Sequence, residues 1–144
     1  RYSEIRNVQL ERISNPDRVA EFNYIFPSVS GSRQVRDSVF NSLKDEKNRS
    51  VEPWTITSLG YLNHYTRDMS SHEYINPALE MVEEVQKTGD IFFPVNWLKA
   101  LLSGHHSREA AVITEKFLEK NKNYPPMLRN KILQQSDHLS GIKR

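Results

Sequence analysis

Apolar residues recur at helical spacing along this chain, most clearly in residues 77–106, PALEMVEEVQKTGDIFFPVNWLKALLSGHH. Ala78, Leu79, Val82 and Val85 mark one apolar helix face. Thr88-Gly89-Asp90 ends that helix, with Gly89 free to take the left-handed conformation and Lys87 facing the negative end of the dipole. Pro94 sits where the first turn of a second helix tolerates it, and Trp97, Leu98, Leu101 and Leu102 form the second stripe before Ser103-Gly104. The pair predicts an αα-hairpin, each helix needing a partner for its apolar face.

The same punctuation runs through the rest of the chain. Ile5, Val8, Gln9 and Ile13 predict a first helix; Asn15 caps a second that starts at Pro16 and carries Val19, Phe22, Ile25 and Phe26. Residues 28–32 read as a small-residue loop, followed by a third helix with Val35, Val39, Phe40 and Leu43. Residues 44–50 are a charged connector, and Glu52-Pro53 opens a fourth helix with Trp54, Leu59, Leu62 and Tyr65. Ser70 and Glu73 have the form of a capping box for the fifth, the helix of Ala78 to Val85, which Pro77 need not kink. The sixth begins near Phe93. Ser107 caps a seventh with Ala110, Ala111, Thr114, Phe117 and Leu118 facing inward. Pro125-Pro126 opens an eighth with Leu128, Ile132, Leu133 and Leu139, and residues 141–144 should fray. No stretch alternates as a strand does. Every second helix start is about 33 to 40 residues further on, the period of two-helix repeats. The pattern predicts an all-α chain, a superhelix of about eight helices stacked as HEAT/armadillo-like αα-hairpins within one domain, 1–144.

Composition changes this picture little. With 37% hydrophobic and 26% charged residues over 144 positions, the chain reads as soluble and globular. No apolar run reaches the ~20 residues of a membrane helix, so no membrane insertion is expected. The opening Arg1-Tyr2-Ser3-Glu4 is no signal peptide and lacks an initiator Met, so the chain reads as a piece of a longer protein whose compartment stays open. The absence of cysteine excludes disulfides, thiolate metal sites and cysteine nucleophiles in this chain. The net charge of +2 is too even to point to nucleic acid. Residues 68–90 hold six acids and one base, and residues 115–144 hold seven bases and three acids; both read as solvated helix faces.

Four places hold chemistry-bearing residues. His72-Glu73-Tyr74-Ile75-Asn76 resembles the metallopeptidase motif H-E-x-x-H but puts Asn76 where the second imidazole belongs, and a capped helix start explains it better. His106 and Glu109 could reach one ion at a helix start, but a turn followed by the Ser107 cap accounts for them, so no metal ligand is assigned. The loop 28–32 followed by Arg33 and Arg36 is a weak anion-site candidate, because exposed backbone N–H groups and guanidinium can hold a carboxylate. Tyr61, His64 and Tyr65 gather near Arg67; core packing is the commoner role for such tyrosines and for Trp54 and Trp97. No Ser-His-Asp set or carboxylate pair stands out.

The segments NPDRVAEFNYIFPSVS, VEPWTITSLGYLNH, YINPALEMVEEVQKTGDIFFPVNWLKALLSGH and FLEKNKNYPPMLRNKILQQSDHL carry a resemblance that spans nearly the whole chain. Together they resemble the C-terminal helical domain of zinc-dependent aminopeptidases of the aminopeptidase N family, in its bacterial branch. The resemblance implies an α-helical superhelix that packs over an upstream catalytic domain of the same polypeptide and limits the access of peptide substrate. It implies zinc in that upstream domain and no cofactor here, since this chain has neither H-E-x-x-H nor G-x-M-E-N. No catalytic residue carries over. Arg33, Arg36 and Arg67 are the substrate-lining candidates by basic character alone. The alternative is an independent helical-repeat scaffold that binds a protein partner. An exposed apolar patch at the first helix would favour the former, and polar capping helices at both ends the latter.

Overall fold

A computed structural model describes residues 1–141. Among them every regular element is helical: ten α-helices with short 3-10 turns between them and no strand. The all-α class predicted by the periodicity is therefore correct. The fraying expected beyond residue 141 lies outside the described residues. The chain divides into two compact units, with the boundary between Leu62 and Asn63.

The first unit contains α1 (Tyr2–Glu11), α2 (Pro16–Ile25), α3 (Arg33–Ser42) and α4 (Glu52–Leu62). Asn15 caps α2 as its sequence position predicts, accepting the Asp17 N–H at 2.9 Å. Ser32 caps α3 through the Val35 N–H at 3.4 Å. Pro27 does not end the chain's helical path at once, because a 3-10 turn runs over Phe26–Val29. Helices α2, α3 and that turn pack on α4, burying Phe40, Leu43, Leu59 and Leu62. Each large apolar side chain so buried contributes about 1.5–3 kcal/mol. The connector 44–50 is more than a solvated spacer: it winds a 3-10 turn, Glu46–Arg49, and buries Arg49, which donates to the Leu43 carbonyl at 2.6 Å. Helix α1 has no buried residue; it leans on the turn after α2 through the Tyr2–Phe26 ring stack at 5.0 Å and on α2 through the Arg6–Asn23 hydrogen bond at 2.7 Å.

The second unit contains α5 (Asp68–Ser71), α6 (Ile75–Glu80), α7 (Val82–Thr88), α8 (Phe93–Leu102), α9 (Arg108–Lys120) and α10 (Pro126–Gln135). Helix α8 lies at its centre, packed by α6, α7 and α10, while α6 also packs on α9. Trp97, Leu98, Leu101 and Leu102 are fully buried, and the Trp97 indole N–H donates to the Ala78 carbonyl at 3.0 Å. Leu133, expected to face inward, is 45% exposed. Tyr65 falls outside α4, in a 3-10 turn Tyr65–Arg67, and is 66% exposed.

Three local expectations are corrected by the packing. The fifth predicted helix is not continuous, since α6 ends at Glu80 and α7 starts at Val82. The Tyr124 hydroxyl inserts there: it accepts from the Glu83 N–H at 3.1 Å and donates to the Leu79 carbonyl at 3.3 Å. Those two groups would otherwise bond each other directly, four residues apart, so the hydroxyl breaks one rung of the ladder. Ser70 is not an N-cap, because the helix starts earlier, at Asp68, and the Ser70 hydroxyl bonds backward to the Arg67 carbonyl at 3.1 Å. Gly89 is extended rather than left-handed, with φ −119°. A side chain is excluded there for another reason: a Cβ would collide with the Phe93 ring.

Tyr124→Phe removes both hydroxyl bonds while keeping the ring, which meets Phe117 edge-on at 5.5 Å. A stability loss of about 1–2 kcal/mol is expected from the urea midpoint. An unchanged midpoint would mean that Leu79 and Glu83 close the direct bond and that the hydroxyl is not what divides the helix.

Candidate functional site

Two segments of the second unit meet at one carboxylate. Asp68 opens α5, and His72 follows four residues later on the same side. His105 projects from the turn after α8, where its N–H still bonds to the Leu102 carbonyl at 3.0 Å. Ser107 caps α9, as its sequence position predicts, accepting the Ala110 N–H at 3.1 Å. Gly104 makes the convergence sterically feasible: a Cβ there would strike the backbone carbonyl of Asn63.

Asp68 Oδ1 lies 2.6 Å from His105 Nδ1, 3.0 Å from His72 Nε2 and 3.3 Å from the Ser107 hydroxyl. Asp68 Oδ2 accepts the backbone N–H of His106 at 2.9 Å. Ser107 Oγ is also 2.7 Å from His72 Nε2. The far ring nitrogen of His105, Nε2, is 2.9 Å from Asn63 Oδ1. The His105 side chain is fully buried, and those of His72 and Asp68 are 13% and 16% exposed. Behind the cluster, His138 Nε2 faces the carbonyls of Leu102 and His105 at 3.1 and 3.0 Å, serving the open end of α8.

Opposing electrostatic effects meet at this carboxylate. Burial by itself would raise the Asp68 pKa, but the His106 N–H and the His105 and His72 rings outweigh it and hold the carboxyl below its ordinary value. Burial pushes the His105 imidazole down, with the Asp68 carboxylate opposing it in part. Asp68 is thus held as the anion.

Ser107, His72 and Asp68 are the residue types of a nucleophile–base–orienter set, but their arrangement is not one. In such a set the hydroxyl and the carboxylate bond opposite nitrogens of the imidazole. Here both meet Nε2 of His72. The arrangement can hold protons or a cation, and it provides no activated nucleophile.

The three arginines singled out by sequence lie outside this cluster. Arg36 is 8% exposed and donates to the Ser30 carbonyl at 2.8 Å, pinning the 28–32 loop against α3. That loop also buries Ser28 and Ser30, and the Ser30 hydroxyl accepts the Ser32 N–H at 3.1 Å. Arg33 is on the same helix, 43% exposed, 3.7 Å from Asp37. Arg67 belongs to the second unit, and its carbonyl accepts the Ser70 and Ser71 hydroxyls. Tyr61 is 42% exposed, so neither it nor Tyr65 is a core residue, whereas Trp97 is fully buried. Spacing linked His72 to Asn76 and His106 to Glu109; the structure links His72 and His105 to Asp68 instead. The one signal available in sequence was the four-residue interval between Asp68 and His72.

Comparison with protein families, curated proteins and solved structures finds no match to this chain.

The pH dependence of stability has a definite sign. A histidine whose folded pKa lies below its unfolded value makes the fold lose stability as pH falls through about 6.5, where the unfolded chain takes up a proton first. A carboxylate held low keeps its contribution above its unfolded pKa of about 3.9 and loses it as pH falls through the folded value. The urea midpoint should therefore decline from pH 7.5 to 5 and decline further below pH 4. Asp68→Asn should cost about 2 kcal/mol at pH 7.5, because the amide places its own N–H groups among donors. A midpoint that is flat with pH and equal in Asp68→Asn would show that the cluster contributes nothing to the fold.

Proposed function

We propose that this chain is the C-terminal helical accessory domain of a zinc-dependent aminopeptidase, packing over an upstream catalytic domain and limiting the access of peptides. The observation that carries the reading is an apolar face left open in the first unit. Helices α1 and α2 have no buried residue, and Ile5 and Val8 are 45% and 47% exposed. In the same unit a cleft of about 640 Å³ has an apolar wall of Phe22, Ile25, Phe26 and Val29 and a polar rim that includes Arg12, Arg18 and Glu21. An open apolar surface of this kind marks a docking face. On the resemblance of the quoted segments to the aminopeptidase N family, the occupant of that face would be the upstream catalytic domain. The peptidase zinc belongs to the upstream domain on this reading, because His72-Glu73-Tyr74-Ile75-Asn76 supplies one imidazole, on a 3-10 turn His72–Tyr74. The helices would stack as an αα-superhelix. Arg33, exposed on α3, is the best placed of the three arginines to meet the far end of a peptide.

A second reading, an independent scaffold for a protein partner, is favoured by Ile91 and Phe92. They are 78% and 69% exposed on the turn between α7 and α8.

The test is to express the coding sequence upstream of Arg1 together with this chain. Chelator-sensitive release of N-terminal residues is expected from the longer polypeptide and none from the 144 residues alone. Arg33→Ala in the longer protein should raise KM for extended peptides several-fold, as loss of about 1 kcal/mol of charge pairing would, and leave dipeptide-like substrates unchanged. An upstream sequence with no zinc-peptidase motif and no such activity would sink the proposal, and partner capture on the Ile91–Phe92 turn would then be the experiment to run.

A further inference from the structure

We propose that Asp68, His72 and His105 form a binding site for one divalent cation of the zinc class, a structural site within this chain and separate from any peptidase centre. Each residue offers one ligating atom, and all three lie within 4.8 Å of one another. Two imidazole nitrogens and a carboxylate oxygen are donors that zinc takes.

The supporting groups are those that a metal site needs. Zinc-bound histidines direct their other ring nitrogen at a carbonyl or carboxylate, which fixes the tautomer. His105 Nε2 faces Asn63 Oδ1 at 2.9 Å, leaving Nδ1 for the cation. Asp68 Oδ2 is held by the His106 N–H at 2.9 Å, which leaves Oδ1 for the cation. The Ser107 hydroxyl, 2.7 Å from His72 Nε2, stands beside the fourth position.

Proton accounting at His105 is compatible with a cation. Both of its ring nitrogens face oxygen acceptors, Asp68 Oδ1 and Asn63 Oδ1, and a neutral ring can donate to only one. Three arrangements relieve this. The ring can carry a positive charge, paired with the Asp68 carboxylate. Asn63 can turn its amide. Or a cation can take the Nδ1 lone pair. In the third, the His105 proton sits on Nε2 and is accepted by Asn63, the His72 proton sits on Nδ1, and Asp68 stays anionic, so no proton is lost from the cluster. Zinc bonds of about 2.0–2.1 Å set neighbouring ligand atoms about 3.3 Å apart. The atoms now 2.6 and 3.0 Å apart would separate by about half an ångström. His72 and Asp68, which reach solvent, can make that movement.

This site stands on the cluster alone and does not depend on the aminopeptidase reading. The 144-residue chain, stripped with chelator, is titrated at pH 7.5 with zinc sulfate by calorimetry and with cobalt(II) by visible absorption. One equivalent should bind with micromolar affinity or better, raise the Tm, and give the intense visible bands of tetrahedral cobalt. His72→Ala, checked for folding by circular dichroism, should weaken binding by about tenfold or more, while His64→Ala should leave it unchanged. Absence of stoichiometric binding to the wild-type chain, or cobalt bands of octahedral type, would overturn the proposal even if His72→Ala failed to fold. Equal binding by wild type and folded His72→Ala would overturn it as well.

Discussion

Short helices have many ends, and every end leaves backbone groups without a helical partner. No α-helix among the described residues is longer than the 13 residues of α9. The chain meets this constraint with side chains placed at the ends. Asn15, Ser32 and Ser107 accept the first N–H groups of α2, α3 and α9. Arg36, Arg49 and Arg129 donate to the carbonyls of Ser30, Leu43 and Leu118. His138 serves the end of α8, and the Tyr124 hydroxyl serves both sides of the break between α6 and α7. Of the three arginines that look functional in the sequence, Arg36 is occupied in this way. A buried guanidinium on a carbonyl is a structural clamp, and its removal would leave that carbonyl unsatisfied.

Asp68 differs from these caps because a single carboxylate gathers four groups at once. Its carboxylate joins the start of α5 to the turn between α8 and α9, with a backbone N–H on one oxygen and two imidazoles and a hydroxyl on the other. Burial opposes the charge, and the convergent donors outweigh that opposition. The same balance that stabilises an anion inside a small unit would also accept a cation, since a metal replaces shared protons in the same positions. The proposal of a metal site and the account of the cluster as a structural tie therefore rest on one set of contacts. They differ in where the protons go.

The first unit raises a different issue. Its core of Phe40, Leu43, Leu59 and Leu62 is closed by α2, α3 and α4, yet α1 adds no buried side chain to it. A helix held by one ring stack and one side-chain hydrogen bond has little tertiary contact to stabilise it, and short helices are marginal without packing. A covering surface would supply what α1 lacks.

Sequence alone determined the helical class, the caps at Asn15 and Ser107, the positions of most helix starts and the central stripe Trp97, Leu98, Leu101 and Leu102. These follow from interactions within a few residues: periodicity, capping and the placement of proline. Only the tertiary structure decided that Tyr124 divides a helix more than forty residues away, that Gly89 is excluded from bearing a side chain by the Phe93 ring, and that Asp68 gathers His72, His105 and Ser107. Those contacts join residues far apart in the chain, and no local rule of spacing encodes which distant partner will fill a given gap. The candidate site was illegible for the same physical reason: its ligands lie on two segments more than thirty residues apart, and only the packing of α8 and the close approach at Gly104 bring them to one point.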